Sequence, residues 1–246
     1  MKYITLLKKK IIDKNFFQPS WYSVFINPYF IARKSLNNHV KEFSKTVGLN
    51  KDILDVGCGS KPYKIFFEKN NYVGIDIKED SDADDVKIPE KFYDGLNIPY
   101  NDNSFDFIIC TQVLEHAIDP DKLLKECNRV LKQNGIIFLT MPFVYPEHAI
   151  PYDFRRFTSY GHRKIFKECS FDIKSISPTC GLFRVCGQLM SVAIFESIKF
   201  KSTLIKLFLS ILVCAPIQII SIFLDYIFFN KWITLDYVVI AQKKID

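Results

Sequence analysis

None of the seven cysteines, at positions 58, 110, 127, 169, 180, 186 and 214, lies in a C-x-x-C pair. An odd count scattered through apolar segments argues against a disulfide frame and for reduced thiols in a cytosolic compartment. H-E-x-x-H is also absent, so no familiar ligand spacing supports a metal and none is expected. The start, "MKYITLLKKKIIDK", has too short an apolar run for a secretory signal, and its lysines follow that run instead of preceding it. A large excess of charge of one sign is lacking as well. With 33 Lys+Arg against 27 Asp+Glu the formal net charge is +6, enough for an acidic ligand or an anionic membrane surface but too little to argue for nucleic acid. No internal repeat occurs. A 48% hydrophobic, 24% charged chain of 246 residues instead has the makings of one large core.

Along the chain, a basic and aromatic start leads into a helix expected over about 31–47. Then "DILDVG", "NYVGIDI", "SFDFIICTQV" and "GIIFLTMP" read as buried strands, with "KPYKIFFEKN" and "DPDKLLKECNRVLKQNG" as helices between them. Asp119 can cap the second of these helices, Pro120 suits its first turn, Leu123, Leu124, Cys127, Val130 and Leu131 form one apolar stripe, and Gly135 closes it. "SYGHRKIFKECS" follows as a helix, and "FDIKSIS" and "ITLDYVVIAQK" are the last strands. Strand, helix, strand at this spacing predicts an α/β fold with a doubly wound, mostly parallel sheet.

Asp55, Gly57 and Gly59 fall at the carboxyl end of the first strand, where such sheets hold ligands. A dinucleotide fingerprint needs a third glycine, but Pro62 stands there. A carboxylate at the mouth of the loop is further expected to repel a pyrophosphate and attract a cationic ligand. Asp76, ending the second strand, can accept both hydroxyls of a ribose. Together "DVGCGS", "GIDI", "DGLNIPYNDNSFDFIICTQVLEH" and "NRVLKQNGIIFLTMP" resemble the class I S-adenosylmethionine-dependent methyltransferases, type 11 group, over about 52–171. The resemblance implies a Rossmann-like, seven-stranded sheet with S-adenosylmethionine as cofactor. It also implies that Asp55, Gly57 and Gly59 hold the methionine portion and Asp76 the ribose. Asp94 and Gly95 would meet the adenine, Ile77 would pack on its ring, and Gln112 would sit beneath the sulfonium.

Transfer to a hydroxyl needs a base, and His116 and His148, just past the fourth and fifth strands, are the candidates. His116 can equally cap or pack the following turn. The stretch "HAIPYDFRRFT" resembles a block in methyltransferases of surface-glycan biosynthesis, so Tyr152, Arg155 and Arg156 are candidate acceptor-binding residues. Asp153 pairing with one arginine to fix the loop is the competing reading. His39 and His162 are assigned to surface or helix positions, and Cys58 is read as a small residue that fits.

One feature departs from the family: about fifty residues separate the last two strands. They include Leu207 to Leu224, a stretch without charge. A single membrane crossing would strand "ITLDYVVIAQK" on the wrong side. Pro216 divides the run, so a re-entrant or interfacial hairpin is expected, with lysines 199, 201, 206 and 231 and Trp232 at headgroup level and "YITLLKKKII" as a second anchor. A soluble lid or a dimer interface would bury the same surface against protein. The expected organisation is therefore an N-terminal segment (1–50), a cofactor-binding core (51–180), an apolar helical insertion (181–232) and a last core strand (233–246). The expected function is O-methylation of a glycan or lipid-linked sugar precursor at the cytoplasmic membrane face. The alternatives are a lipophilic acceptor such as a quinone precursor, or a non-catalytic membrane-associated scaffold.

Overall fold

The computed structural model describes residues 16–78, 89–197 and 203–244. The N-terminal anchor and Lys199 and Lys201 lie outside them. The chain forms two compact units, one of Val40–Ser177 with Asp236–Asp246, the other of Met1–His39 with Pro178–Leu235.

The first unit is built on a seven-stranded sheet of β1 (Asp52–Val56), β2 (Asn71–Ile77), β3 (Lys91–Tyr93), β4 (Phe105–Thr111), β5 (Leu131–Pro142), β6 (Phe171–Pro178) and β7 (Asp236–Lys243). Its order is β3-β2-β1-β4-β5-β7-β6. β1 to β5 pair in parallel, and β7 runs antiparallel to β5, with Leu139 opposite Val239. Alternate residues serve opposite faces, as the pleat dictates. Leu54, Val56, Ile108, Cys110, Ile137 and Leu139 pack with Leu123, Leu124 and Cys127 of helix α2 (Pro120–Val130) and with Ile165 and Phe166 of α3 (Ser159–Glu168). Ile53, Ile109, Phe138 and Val238 pack with Val40 and Phe43 of α1 (Phe30–Ser44). Covering both faces explains why these strands read as continuous apolar runs.

The sequence expectations hold for the strands and differ at three places. Asp119 caps α2, accepting from the Lys122 N–H at 2.9 Å, but the helix stops at Val130 because Leu131 already pairs with Phe105 at the start of β5. Gly135 is needed for space and not as a cap, since a Cβ there would lie 2.9 Å from the Lys132 carbonyl oxygen. "KPYKIFFEKN" forms only a 3-10 turn, Lys64–Phe67, because Lys61 sits at φ +56° and β2 begins at Asn71.

The third difference is in the second unit. Here α4 (Leu182–Ser197) lies antiparallel against a helix made of α5 (Thr203–Leu209), a π turn (Ser210–Cys214) and α6 (Ala215–Ile227). The chain does not reverse at Pro216, which corrects the expected hairpin. Proline lacks an N–H, and the π turn absorbs it, with the Ala215 N–H donating to the Ser210 carbonyl. The two arms meet closely at Gly187, where a Cβ would lie 2.0 Å from Ser221 Oγ.

Polarity in this unit is inverted. Gln218 accepts from the Ile31 N–H and donates to the Asn27 carbonyl, and Gln188 accepts from the Ala32 N–H and donates to Pro28. The two glutamines thereby satisfy N–H groups that the first turn of α1 would leave unpaired. Asp225 accepts from the Gly181 N–H at 3.0 Å. With these polar groups facing protein, Leu204, Phe208, Ile220, Phe223, Phe228, Phe229 and Trp232 face outward. By length and composition Leu204–Ile227 could cross a membrane.

Candidate active site

The glycine loop leaves β1 with its first two amides, of Gly57 and Cys58, still donating to the Ile75 carbonyl of β2. Gly57 has φ +68°, and a Cβ on it would lie 2.3 Å from Val113 Cγ2, so the residues following β4 press directly on the loop. Cys58 packs on Gly74, where a Cβ would meet its Sγ at 2.5 Å. Burial pushes its thiol up to about 12, as suits a space-filling residue.

Asp55 is not at the mouth of the loop. It is 1% exposed and accepts a hydrogen bond from Tyr72 through Oδ2, and desolvation raises its pKa to about 7 against the lowering effect of that bond. The expectation that this side chain screens ligands by its charge is corrected accordingly. Only the short turn Lys64–Phe67 follows the loop, so no long helix directs its N-terminal dipole there.

Asp76 stands at the end of β2, 5% exposed, accepting from the Gly59 N–H and the Ile77 N–H, both at 2.8 Å. Ile77 is exposed beside it, and a Cβ added to Gly95, at φ +81°, would lie 3.5 Å from Ile77 Cγ2. Asp94 accepts from the amides of Leu96 and Asn97 and from Asn97 Nδ2, and these bonds hold its carboxyl down at about 2. Gln112, at φ +57°, donates its N–H to the Thr140 carbonyl and its Nε2 to Thr140 Oγ1 at 3.1 Å, tying the ends of β4 and β5 together.

The loops after β4 and β5 brace one another. The Phe154 N–H donates to the Glu115 carbonyl, and His116 Nδ1 lies 2.8 Å from the Tyr152 carbonyl. His148 Nδ1 lies 3.2 Å from Asp153 Oδ2 and 3.3 Å from the Pro146 carbonyl. The two imidazoles meet edge to face with centroids 4.8 Å apart. Between them is Glu115, which sequence reasoning did not single out. It is fully buried, neither oxygen has a hydrogen-bond partner, and Oε1 lies 3.7 Å from His116 Nε2 and 3.9 Å from His148 Nε2. Desolvation pushes its carboxyl up to about 8, and burial lowers the pKa of His148. The signal was present in "VLEHA", an acid inside an apolar run, but its partner His148 is 33 residues away, so no spacing rule finds the pair.

The arginines expected to grip the acceptor are held by protein. Arg156 closes its fork on both oxygens of Asp153, which keeps that carboxylate strongly acidic, and Arg155 donates to the carbonyls of Ala117 and Ile118. The pairing of Asp153 with arginine is thus the arrangement found, and Tyr152 is the member of the expected trio with a largely exposed side chain. His39 bonds the Ser35 carbonyl within α1. His162 takes the expected helix position in α3 and is fully buried among Phe157, Phe166 and Tyr237. A cavity of about 430 Å³ lies in the helical unit, lined by Trp21, Ile31, Lys34, Arg184 and Ile219 among others, and none of the expected site residues borders it.

Residues 54–139 match the family described as "Methyltransferase domain". The ubiquinone biosynthesis O-methyltransferase of Pasteurella multocida is 29% identical over 110 residues, 37% of this chain and 46% of that protein. The match spans less than half the length of the first curated relatives, 42% and 46%. Among solved structures, phosphoethanolamine N-methyltransferase 2 of Haemonchus contortus, in complex with S-adenosyl-L-methionine, superposes with a TM-score of 0.56 at 17% identity, covering 95% of this chain and 59% of that one. The cyclase SpnF gives 0.56 at 18% identity, covering 87% and 82%. At such identities the likeness is one of fold, and SpnF illustrates that fold alone does not fix the reaction. Residues 54–139 are therefore a methyltransferase domain of the type 11 group, set in a class I, Rossmann-like sheet.

Proposed function

We propose that the protein is an S-adenosylmethionine-dependent methyltransferase acting on a hydroxyl of a glycan or lipid-linked sugar precursor at the cytoplasmic face of a membrane. The observation that carries the cofactor is Asp76, a buried carboxylate at the end of β2 that anchors the glycine loop through Gly59, the place where a ribose-binding carboxylate stands in such sheets. The exposed Ile77 and the Gly95 backbone beside it supply an apolar platform for a base. Bound there, the cofactor supplies an electrophilic methyl group on a sulfonium. The work of the protein is then to align the acceptor and ease the loss of its proton, and the Glu115–His116–His148 cluster lies on the same edge of the sheet. The block "HAIPYDFRRFT" supports a glycan acceptor. The similarity to a ubiquinone O-methyltransferase, together with the outward apolar face of α5 and α6, favours a lipophilic acceptor as the second reading.

Calorimetry with S-adenosylhomocysteine tests the cofactor. Wild type should bind, and Asp76→Ala should weaken binding by about 100-fold or more, at roughly 1.5–3 kcal/mol for each hydrogen bond to a charged group. A wild type that does not bind would overturn the reading.

The membrane proposal rests on the inverted polarity of the long helix. A face carrying Phe223, Ile220 and Phe208, followed by Lys231 and an 87% exposed Trp232, suits the headgroup boundary of a bilayer. Both ends of the insertion rejoin one sheet, so the helix would lie in the interface and not cross it. Wild type should sediment with vesicles containing anionic lipid, and Ile220→Glu/Phe223→Glu, which spares the buried glutamines, should stay in the supernatant. Wild type left in the supernatant would refute membrane attachment.

A further inference from the structure

The geometry points to a divalent metal site formed by Glu115, His116 and His148, suited to a first-row transition ion such as zinc or manganese. One candidate ligand atom from each residue lies within 4.8 Å of the others. Around an ion with ligands at about 2.1 Å, neighbouring ligand atoms sit roughly 3.0–3.4 Å apart. The carboxylate-to-imidazole separations of 3.7 and 3.9 Å therefore need to close by only about half an ångström.

Three features distinguish this cluster from a chance meeting of polar groups. The first is the unpartnered carboxylate. Glu115 is fully buried, neither of its oxygens makes a hydrogen bond, and one is directed between the two rings. Such a group is costly to bury unless something compensates it.

The second is the tautomer. His116 Nδ1 faces a backbone carbonyl, which can only accept, so this nitrogen carries the proton and the neutral ring turns the Nε2 lone pair toward Glu115. His148 Nδ1 likewise faces the Asp153 carboxylate and the Pro146 carbonyl, leaving its Nε2 on the Glu115 side. The two Nε2 atoms and the Glu115 carboxyl then converge on one point. At 3.7 and 3.9 Å they are also too far apart for one proton to bridge.

The third is the outer shell. Metal-bound histidines usually give their remaining N–H to a carbonyl or carboxylate, and both rings do so here. Asp153 is itself fixed by Arg156, so the two residues have a definite task in holding His148.

Two nitrogens and one oxygen leave coordination positions open. Resting on the methyltransferase reading, the acceptor hydroxyl would take one of them. Its acidity rises on the ion, its proton leaves to water, and its oxygen gains the methyl carbon as the sulfonium sulfur releases it.

Metal binding is measured on the full protein, stripped with chelator and then titrated calorimetrically with MnCl2 and with ZnCl2. One saturable site is expected. Glu115→Gln and His148→Ala should weaken it by more than about 100-fold, and Asp153→Asn by about 10–100-fold through the outer shell. His39→Ala, outside the cluster, should leave it unchanged. S-adenosylhomocysteine affinity is recorded on the same samples. If the protein binds S-adenosylhomocysteine but neither ion, or if Glu115→Gln and His148→Ala bind the ion as well as wild type does, the metal site is refuted and the cofactor assignment stands. Ion binding that depends on Glu115, without binding of S-adenosylhomocysteine, supports the metal site and refutes the cofactor assignment.

Discussion

Replacing Gly57 with alanine is expected to destabilise the protein by about 2–5 kcal/mol and to abolish measurable binding of S-adenosylhomocysteine. Two costs add. A residue with a Cβ pays roughly 1–2 kcal/mol for a left-handed backbone, and Gly57 sits at φ +68°. The new methyl would also lie 2.3 Å from Val113 Cγ2, and relieving such overlap in a packed interior costs about 1–3 kcal/mol. Because Val113 belongs to the segment that carries Glu115 and His116, the strain would spread to the loop after β4. Gly59→Ala provides the contrast. Its φ is +49° but nothing lies within 4 Å of the added carbon, so only the conformational cost of about 1 kcal/mol applies. Adding Val113→Ala to Gly57→Ala should return the steric part and not the backbone part. Urea denaturation of the four proteins measures the stabilities. Equal losses for Gly57→Ala and Gly59→Ala would show that the contact with Val113 is unimportant.

The protein is expected to lose about 3 kcal/mol of stability through His162 alone as pH falls from about 6.5 to 4. Burial depresses this imidazole from 6.5 to about 4, among three aromatic rings and with no hydrogen-bond partner at either nitrogen. Above pH 6.5 the ring is neutral in both folded and unfolded chains and contributes nothing to the slope. Between 6.5 and 4 the unfolded chain takes up a proton that the folded chain refuses, so stability declines with pH by about 1.4 kcal/mol per unit. Asp55 and Glu115, raised to about 7 and about 8, act in the opposite sense, since their folded forms hold protons that the unfolded chain releases above about pH 4. The His162 contribution is therefore read as a difference: denaturation midpoints of wild type and His162→Phe, measured across pH 4–7, should separate progressively toward the acid end. Parallel curves would show that the ring is free to protonate in the folded state.

The parts of the fold legible in the sequence are those where local pattern and tertiary demand coincide. β1, β2, β4 and the body of β5 are apolar because both faces are covered, and α2 carries its cap and stripe within eleven residues. Lys61–Asn70 looked helical because its aromatics, Tyr63 and Phe67, fall on a helical period. They are buried by the short turn itself, under the neighbouring strand. Pro216 reads as a break, yet a π turn absorbs it at no cost to the direction of the helix. Gly57, Asp76 and Gln112 stand at the strand ends where their order in the sequence puts them. Asp55 was misjudged because a sequence gives its position on the strand but not the Tyr72 hydroxyl beneath it. The Glu115 cluster was missed because two crossover loops assemble it.

The place of β7 between β5 and β6 has a consequence for biosynthesis. Both neighbours leave the ribosome before α4, α5 and α6 have been made, and only then does the strand that must slot between them appear. At translation speeds of about 5–20 residues per second the nascent sheet waits for seconds with two unsatisfied edges while the apolar helix pair is made. A chaperone or a nearby bilayer that occupies the helix pair during this interval would raise the yield of correctly assembled protein, independently of any part it plays once folding is complete.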